Sequence, residues 1–224
     1  MKKIIAKISI LLSLISLLGL GLWQLKRMEY KNNLIKDLEE KLSLPTEMIS
    51  NIEILTKAYT KVRICGHYLD AHELFVYNKP NYIILAPFHI ENINQSIIVA
   101  RGNLKAGQEY FTPDDSHACI TGILVPSEKK PLFMPESTGA KNKPLLSINI
   151  ESITNILSLE LPDMYLLLIP NNEDNIKSGL QPINIPNPKG IYNPHLGYAI
   201  TWFALAIILG FMVILQTILK KPKI

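Results

Sequence analysis

The 224-residue chain lacks every short signature that announces a catalyst: it has no phosphate-binding glycine loop, no nucleophile elbow, no paired zinc-protease histidines and no Cys-x-x-Cys. Acid, nucleophile and base types meet only in the string Asp114, Asp115, Ser116 and His117. Triad members converge from separated positions, so four neighbours in a row read as a polar turn. No internal repeat or low-complexity tract occurs either. Charged residues make up 19% of the chain, yet they are missing from two blocks. No charged residue lies between Lys7 and Lys26, and none lies between Lys189 and Lys220.

Those two gaps define the architecture that composition averages hide, since mean hydropathy over the chain is only +0.17. Residues 8–25 form an uncharged run of 18, about 27 Å as a helix, which just crosses a hydrocarbon core. Residues 196–219 supply an apolar stretch of 24, long enough to cross with some tilt. A cleaved signal peptide is the alternative for the first run. The small-x-small exit such a peptide needs is missing, and Trp23, Lys26 and Arg27 mark a membrane interface instead.

Net charge of +4 and a pI near 8.9 suggest an anionic partner until the charges are placed. The ends, residues 1–31 and 220–224, carry +8, which leaves the middle at −4. The cations therefore flank membrane, and no nucleic acid is expected. Lys220, Lys221 and Lys223 follow the second run closely while only Lys189 precedes it. By the positive-inside bias both termini are cytoplasmic and the middle is periplasmic. The expected division is a tail and first span at 1–25, an extracytoplasmic domain at 26–194, a second span at 195–219 and a basic tail at 220–224.

Helical spacing continues past the first span through Leu25, Met28, Leu34, Ile35, Leu38 and Leu42, and Ser43 with Pro45 should close it. From Tyr59 onward short β-branched and aromatic runs take over, punctuated by Gly, Pro, Asn and Asp. Val62, Ile64, Gly66 and Tyr68 alternate with Arg63, Cys65 and His67, as a half-buried strand requires. Strands are also expected near 72–77, 82–88, 96–102, 117–125 and 164–169, with a short helix near 150–159. The fold class is α+β: two terminal membrane helices around a mainly antiparallel sheet, curled toward a barrel. Pro182, Pro186, Pro188 and Pro194 make 181–194 an extended connector.

Two constellations carry possible chemistry. Cys65 with His67, and His117 with Cys119, each lie two apart on an expected strand and so share a face. If those strands pair, the set suits zinc or copper(I); a disulfide, or unconnected buried cysteines with surface histidines, are the competing readings. The second constellation lies at the outer membrane boundary. Trp23, Arg27 and Tyr30 line one face of the first helix, and His195, Tyr198 and Trp202 line one face of the second. An aromatic belt is the ordinary reading of such stripes. The sharper one is a wall for a flat, apolar, anionic ligand such as a haem, with His195 on the metal and Arg27 on a propionate.

At these residues the chain resembles the Surfeit locus protein one family, the cytochrome oxidase assembly factors of bacterial and mitochondrial inner membranes. Gly21, Trp23, Gln24, Arg27, Tyr30 and Lys31 resemble that family's G-x-W-Q-x-x-R-x-x-W-K, with tyrosine for the second tryptophan. Asn193, His195, Leu196, Tyr198, Thr201, Trp202 and Phe203 resemble its N-x-H-L-x-Y-x-x-T-W motif and the aromatic that follows. Between them, Val62, Gly66 and Tyr68 fit a family strand, Ala86, Pro87 and Phe88 approximate a T-P segment, and Arg101 with Gly102 keeps the middle of N-R-G-W. Ala100 and Asn103 depart from that last pattern, and a tryptophan expected near Leu145 is absent.

The resemblance implies an assembly factor and not an enzyme, one that helps haem a reach the largest subunit of a haem–copper cytochrome c oxidase. Carried over by matched position, His195 is the expected iron ligand, with Tyr198, Trp202, Trp23 and Arg27 around it. Oxidase subunit one, haem a synthase and membrane lipids are the expected partners. A bacterial inner membrane is favoured over a mitochondrial one, because no Arg-rich, acid-poor segment precedes the first span. Two rivals stand beside this reading: a scaffold that holds oxidase subunits without a cofactor, and a periplasmic copper-binding module built on Cys65, His67, His117 and Cys119.

Overall fold

Alternation of buried and exposed side chains along the strand at 61–68, beside near-continuous burial along those at 81–90, 95–104 and 164–168, shows which strands carry a cover on one face and which on two. The computed structural model describes residues 2–69, 73–105, 107–111, 117–130, 137–169 and 178–219. Seven strands form one mixed sheet: β1 (Glu47–Met48), β2 (Lys61–Tyr68), β3 (Leu74–Asn78), β4 (Asn81–Ile90), β5 (Gln95–Leu104), β6 (Ala118–Pro126) and β7 (Met164–Leu168). Their order is β1-β2-β6-β7-β5-β4-β3, and β2 also pairs with β4. That extra pairing closes β2, β6, β7, β5 and β4 into a ring, so the expected barrel-like domain is present. The aspartate-to-serine string at 114–116, the strand start at 70–72 and the tail at 220–224 lie outside the described residues.

Inward positions fill the ring at every second residue, as a strand's two-residue period demands. Val62, Ile64, Phe88, Ile90, Ile97, Val99, Ile120, Leu124 and Leu166 make one core. A second layer lies outside β5 and β7, where Leu85, Ile98, Ala100 and Leu167 meet Ile150 and Ile153 of helix α2 (Ile150–Leu157). Asn149 caps that helix, its side-chain oxygen accepting from the Ser152 amide at 2.9 Å. Covered on both faces, β5 and β7 pair in parallel, Ile98 to Tyr165 through Ala100 to Leu167. The sheet is thus more mixed than an alternation pattern suggests, because alternation reports a strand's faces and not its neighbours' direction.

The ring closes at Gly66. This residue faces Ala118 on β6 and Ile90 on β4, the point at which β2 leaves one partner for the other. A β-carbon placed there would stand 1.8 Å from the His89 carbonyl oxygen. Only glycine admits that approach.

Among the described residues of this unit one charge is buried. Arg101 is 1% exposed, and its Nη1 donates to Glu73 Oε1 at 2.5 Å while Nη2 donates to the Phe111 carbonyl at 3.4 Å. The guanidinium carbon lies 5.3 Å from the Tyr68 ring centroid, and Tyr110 donates its hydroxyl to Glu73 Oε2 at 2.7 Å. An isolated guanidinium could not be held there; the carboxylate and the aromatic face make the burial tolerable. Burial first, then the bond to Glu73, holds the Tyr110 phenol above its ordinary range; burial and the charge of Glu128 do the same for Tyr165.

At the chain's ends, helix α1 (Lys2–Ser43) runs unbroken through the first apolar run, and helix α3 (His195–Leu219) carries the second. Both are long and apolar enough to cross a membrane. Leu11, Leu12, Ile207 and Phe211 are more than half exposed to the outside, the surface a bilayer covers. Two compact units result, one of residues 40–186 and one of residues 1–39 with 187–224.

Gly66→Ala is expected to open the β2–β4 seam and to destabilise the domain by about 3 kcal/mol or more, because a backbone oxygen and not a pliant side chain stands in the way. Arg63→Ala, an exposed change on the same strand, should stay within about 0.5 kcal/mol; urea unfolding of both variants in detergent checks the contrast. Alkaline pH offers a second measurement. Tyr110 and Tyr165 bind their protons more tightly folded than unfolded, so their contribution is complete below the unfolded phenol value of about 10 and is lost as pH rises beyond it. Urea midpoints should therefore fall above that pH, and more gently in a Tyr110→Phe, Tyr165→Phe chain.

Candidate functional site at the heads of the two terminal helices

Small residues bring α1 and α3 together. Gly21 faces the Phe203 ring so closely that an added β-carbon would sit 2.6 Å from it, and on α3 Ala199 and Ala206 are 1% and 6% exposed. A glycine that receives an aromatic ring from the neighbouring helix is one way helices pack where lipid offers no hydrophobic drive.

Polar side chains then tie the upper ends. His195 Nδ1 lies 2.7 Å from Gln24 Oε1. Asn193 Nδ2 donates to the Met28 carbonyl at 3.2 Å and to Asn32 Oδ1 at 2.7 Å, and Lys31 Nζ donates to the Tyr192 carbonyl at 2.6 Å. Gly21, Gln24, Met28 and Lys31 are spaced by three or four, so they form one face of α1 directed at α3.

The Gln24 bond has a chemical consequence. An amide oxygen can only accept, so the ring nitrogen facing it is the donor, and in the neutral ring that tautomer places the lone pair on Nε2 of His195. A half-buried imidazole fixed through Nδ1 is how proteins prepare a histidine to bind a metal through the other nitrogen.

Of the other expected site residues, Arg27 follows Gln24 by three positions and Tyr198 follows His195 by three. Because the helices run in opposite directions, the same angular step on each reaches the same flank of the pair. Arg27 then lies about 4.5 Å farther along α1 from the bonded pair, and Tyr198 the same distance along α3. Trp202, two turns below His195, is half-buried; Trp23 and Tyr198 are 56% and 54% exposed. Arg27 sets its guanidinium carbon 5.2 Å from the Tyr30 ring centroid, a cation–π contact within α1. Trp23 also borders an open groove of about 750 Å³ walled by Leu22, Lys26 and Glu29 of α1, and His195 is not among its walls.

Gln24 is the residue that sequence reasoning undervalued: it belongs to the quoted motif but was given no role. Its offset of three from Gly21 and four from Met28, the glycine-bearing contact face, is the signal that finds it.

The cysteine and histidine set resolves differently from the copper-module expectation. β2 and β6 pair with Cys65 opposite Cys119, and the two sulfurs form a disulfide, S–S 2.01 Å, Cα to Cα 4.1 Å. Sulfurs bonded to each other are not thiolates, so the four-donor metal arrangement does not exist in this form. Among the described residues no group of three His, Cys, Asp or Glu side chains is arranged to hold a metal ion.

Comparison with known proteins adds a lineage to this geometry. A family model described as SURF1 family matches residues 11–207. The chain is similar to a SURF1-like protein of Rickettsia bellii, 30% identical over 226 residues that cover 96% of this chain and 90% of the relative. It is also similar to a SURF1-like protein of Rickettsia conorii, 31% identical over 203 residues covering 85% and 82%. Surfeit locus protein 1 of Homo sapiens is 22% identical over 226 residues covering 88% and 72%.

Gly21→Ala should weaken the α1–α3 contact by about 1–3 kcal/mol. Gly19→Ala, with nothing within 4 Å of the added carbon, should be neutral or slightly stabilising through helix propensity. Spin labels on the two helices report the change as a broadened distance distribution, and Phe203→Ala in the Gly21→Ala chain should narrow it again.

Proposed function

The chain belongs to the SURF1 family, and from that membership together with the Gln24–His195 pair we propose that it is a non-catalytic assembly factor for a haem–copper cytochrome c oxidase, carrying haem a toward the largest oxidase subunit. One observation carries the reading: the imidazole of His195 is held by Nδ1 at the head of a membrane helix, with Nε2 left to serve as a ligand.

The residues around it suit a haem. Nε2 of His195 supplies the lone pair for iron, and Arg27 offers a cation at the headgroup level for a propionate. Tyr198, Trp202 and Trp23 add flat apolar surface along the same flank. A bound haem contributes iron and carboxylates to this docking and no reaction of the protein's own. The proposed setting is an inner membrane with both termini cytoplasmic and residues 40–186 in the periplasm. The disulfide supports that orientation, since such bonds persist in oxidising compartments. Oxidase subunit one and haem a synthase are the proposed partners.

A cofactor-free scaffold is the second reading, favoured by one fact: Gly21, Asn193 and Phe203 of the quoted motifs serve helix packing directly. The two are separated by purifying the chain in detergent from cells that make haem a and recording its optical spectrum. The haem reading expects a Soret band that is lost in His195→Ala and weakened about tenfold to a hundredfold in affinity in Gln24→Leu. Absence of any band, with oxidase assembly intact in His195→Ala, rejects it in favour of the scaffold.

A further inference from the structure

The outer face of β2 carries chemistry that neither the helix pair nor the fold uses. Arg63, Cys65 and His67 point away from the core, and among the described residues no layer like the one over β5 and β7 covers them. Cys119 is exposed on β6 directly opposite Cys65. The disulfide is therefore within reach of a reagent in solution. It is also not what holds these strands together, because β2 and β6 are registered over six residue pairs from Lys61 with Ile123 to Gly66 with Ala118.

Imidazoles are gathered around it. His67 follows Cys65 by two on β2, and His117 precedes Cys119 by two, so each shares its cysteine's side of the chain. Glu91, in the turn after β4, faces both: its Oε1 lies 3.6 Å from His67 Nδ1 and its Oε2 lies 3.4 Å from His117 Nε2. Each ring keeps one nitrogen that Glu91 does not face. A third imidazole, His89, opposes His67 across the β2–β4 seam with ring centroids 5.3 Å apart. A carboxylate behind two histidines is the outer layer that metal-binding imidazoles use.

We propose that the Cys65–Cys119 disulfide is a redox gate on a cation site: opened, it leaves two sulfurs and the imidazoles of His67 and His117 as a four-donor set for a thiophilic d10 cation, zinc(II) or copper(I). Opening requires an external dithiol, which gives two electrons and two protons to the Sγ–Sγ bond and closes its own disulfide. Cation binding then displaces the two thiol protons. In the closed form the sulfurs are engaged with each other and no such set exists, which agrees with the absence of a three-donor group among the described residues. Cysteine sulfur with imidazole nitrogen is the donor mixture that selects these ions over harder divalent cations. This site is independent of the haem reading.

The test uses the full chain in detergent, either oxidised or reduced with a water-soluble phosphine that is then removed without air. Zinc(II) uptake is read by competition with a chromophoric chelator, and copper(I) in a parallel series. The reduced chain should bind about one equivalent and the oxidised chain none. His67→Ala with His117→Ala should keep both thiols by thiol titration yet bind at least tenfold more weakly. Glu91→Ala should weaken binding by about tenfold to a hundredfold. Bound zinc should also slow reoxidation by air. Equal uptake by oxidised and reduced chains overturns the proposal, as does uptake unchanged in the histidine variant. Loss of the far-UV β-sheet signal on reduction overturns it too, because the donor set needs β2 and β6 paired.

Discussion

At Gly66 a backbone carbonyl approaches where every other residue type would carry a β-carbon, and the domain's closure depends on that contact. β2 there exchanges β6 for β4, turning a row of strands into a ring. Closure satisfies the N–H and C=O groups that β2 and β4 would otherwise leave unpaired along a sheet edge. It also fixes which side of each strand is inside. With Val62, Ile64 and Tyr68 committed to the core, Cys65 and His67 have no place but the outer surface. The disulfide and its ring of imidazoles are consequences of the same register that makes the core.

The terminal helices obey a different economy. Between apolar helices in lipid the hydrophobic effect is nearly silent, and contact rests on close packing and on hydrogen bonds made in a low-dielectric setting. Gly21 against Phe203 supplies the first, while Gln24 with His195 and Asn193 with Asn32 supply the second. These polar bonds cluster at the helix heads, the end at which headgroups and water are near, and the lower turns are given over to Leu, Ile and Phe. A histidine there is spared full desolvation but is still held in one orientation.

How far the sequence discloses this depends on whether the information is local. β2, β4, β5, β6 and β7 were recognisable because alternation and β-branched runs follow from each strand's own burial, and α1 through Ser43 because spacing and Pro45 bound it. β1, two residues long, has too little sequence to show a period. The parallel union of β5 with β7 escaped notice because fully buried strands lose the alternation that identifies a face. Pairing is non-local by nature, so Cys65 and Cys119 could be read as ligands, as a bridge or as bystanders until β2 was seen beside β6. Gln24 was hidden for another reason: glutamine near a run of leucines reads as the end of a span, and only the partner helix reveals that its oxygen is committed to His195.

Helix pairing and ligand readiness at His195 are therefore one arrangement and not two. Nδ1 joins the helices, and in doing so it sets the tautomer that leaves Nε2 with its lone pair. In the proposed reading the imidazole matters because an asparagine or glutamine could make the same bond to Gln24 but would bring no second ring nitrogen to serve as a ligand. The seat that Gly21 gives the Phe203 ring and the 2.7 Å contact of Gln24 with His195 lie on the same face of α1, so the small residue of the span and the polar residues of its head serve the same pairing.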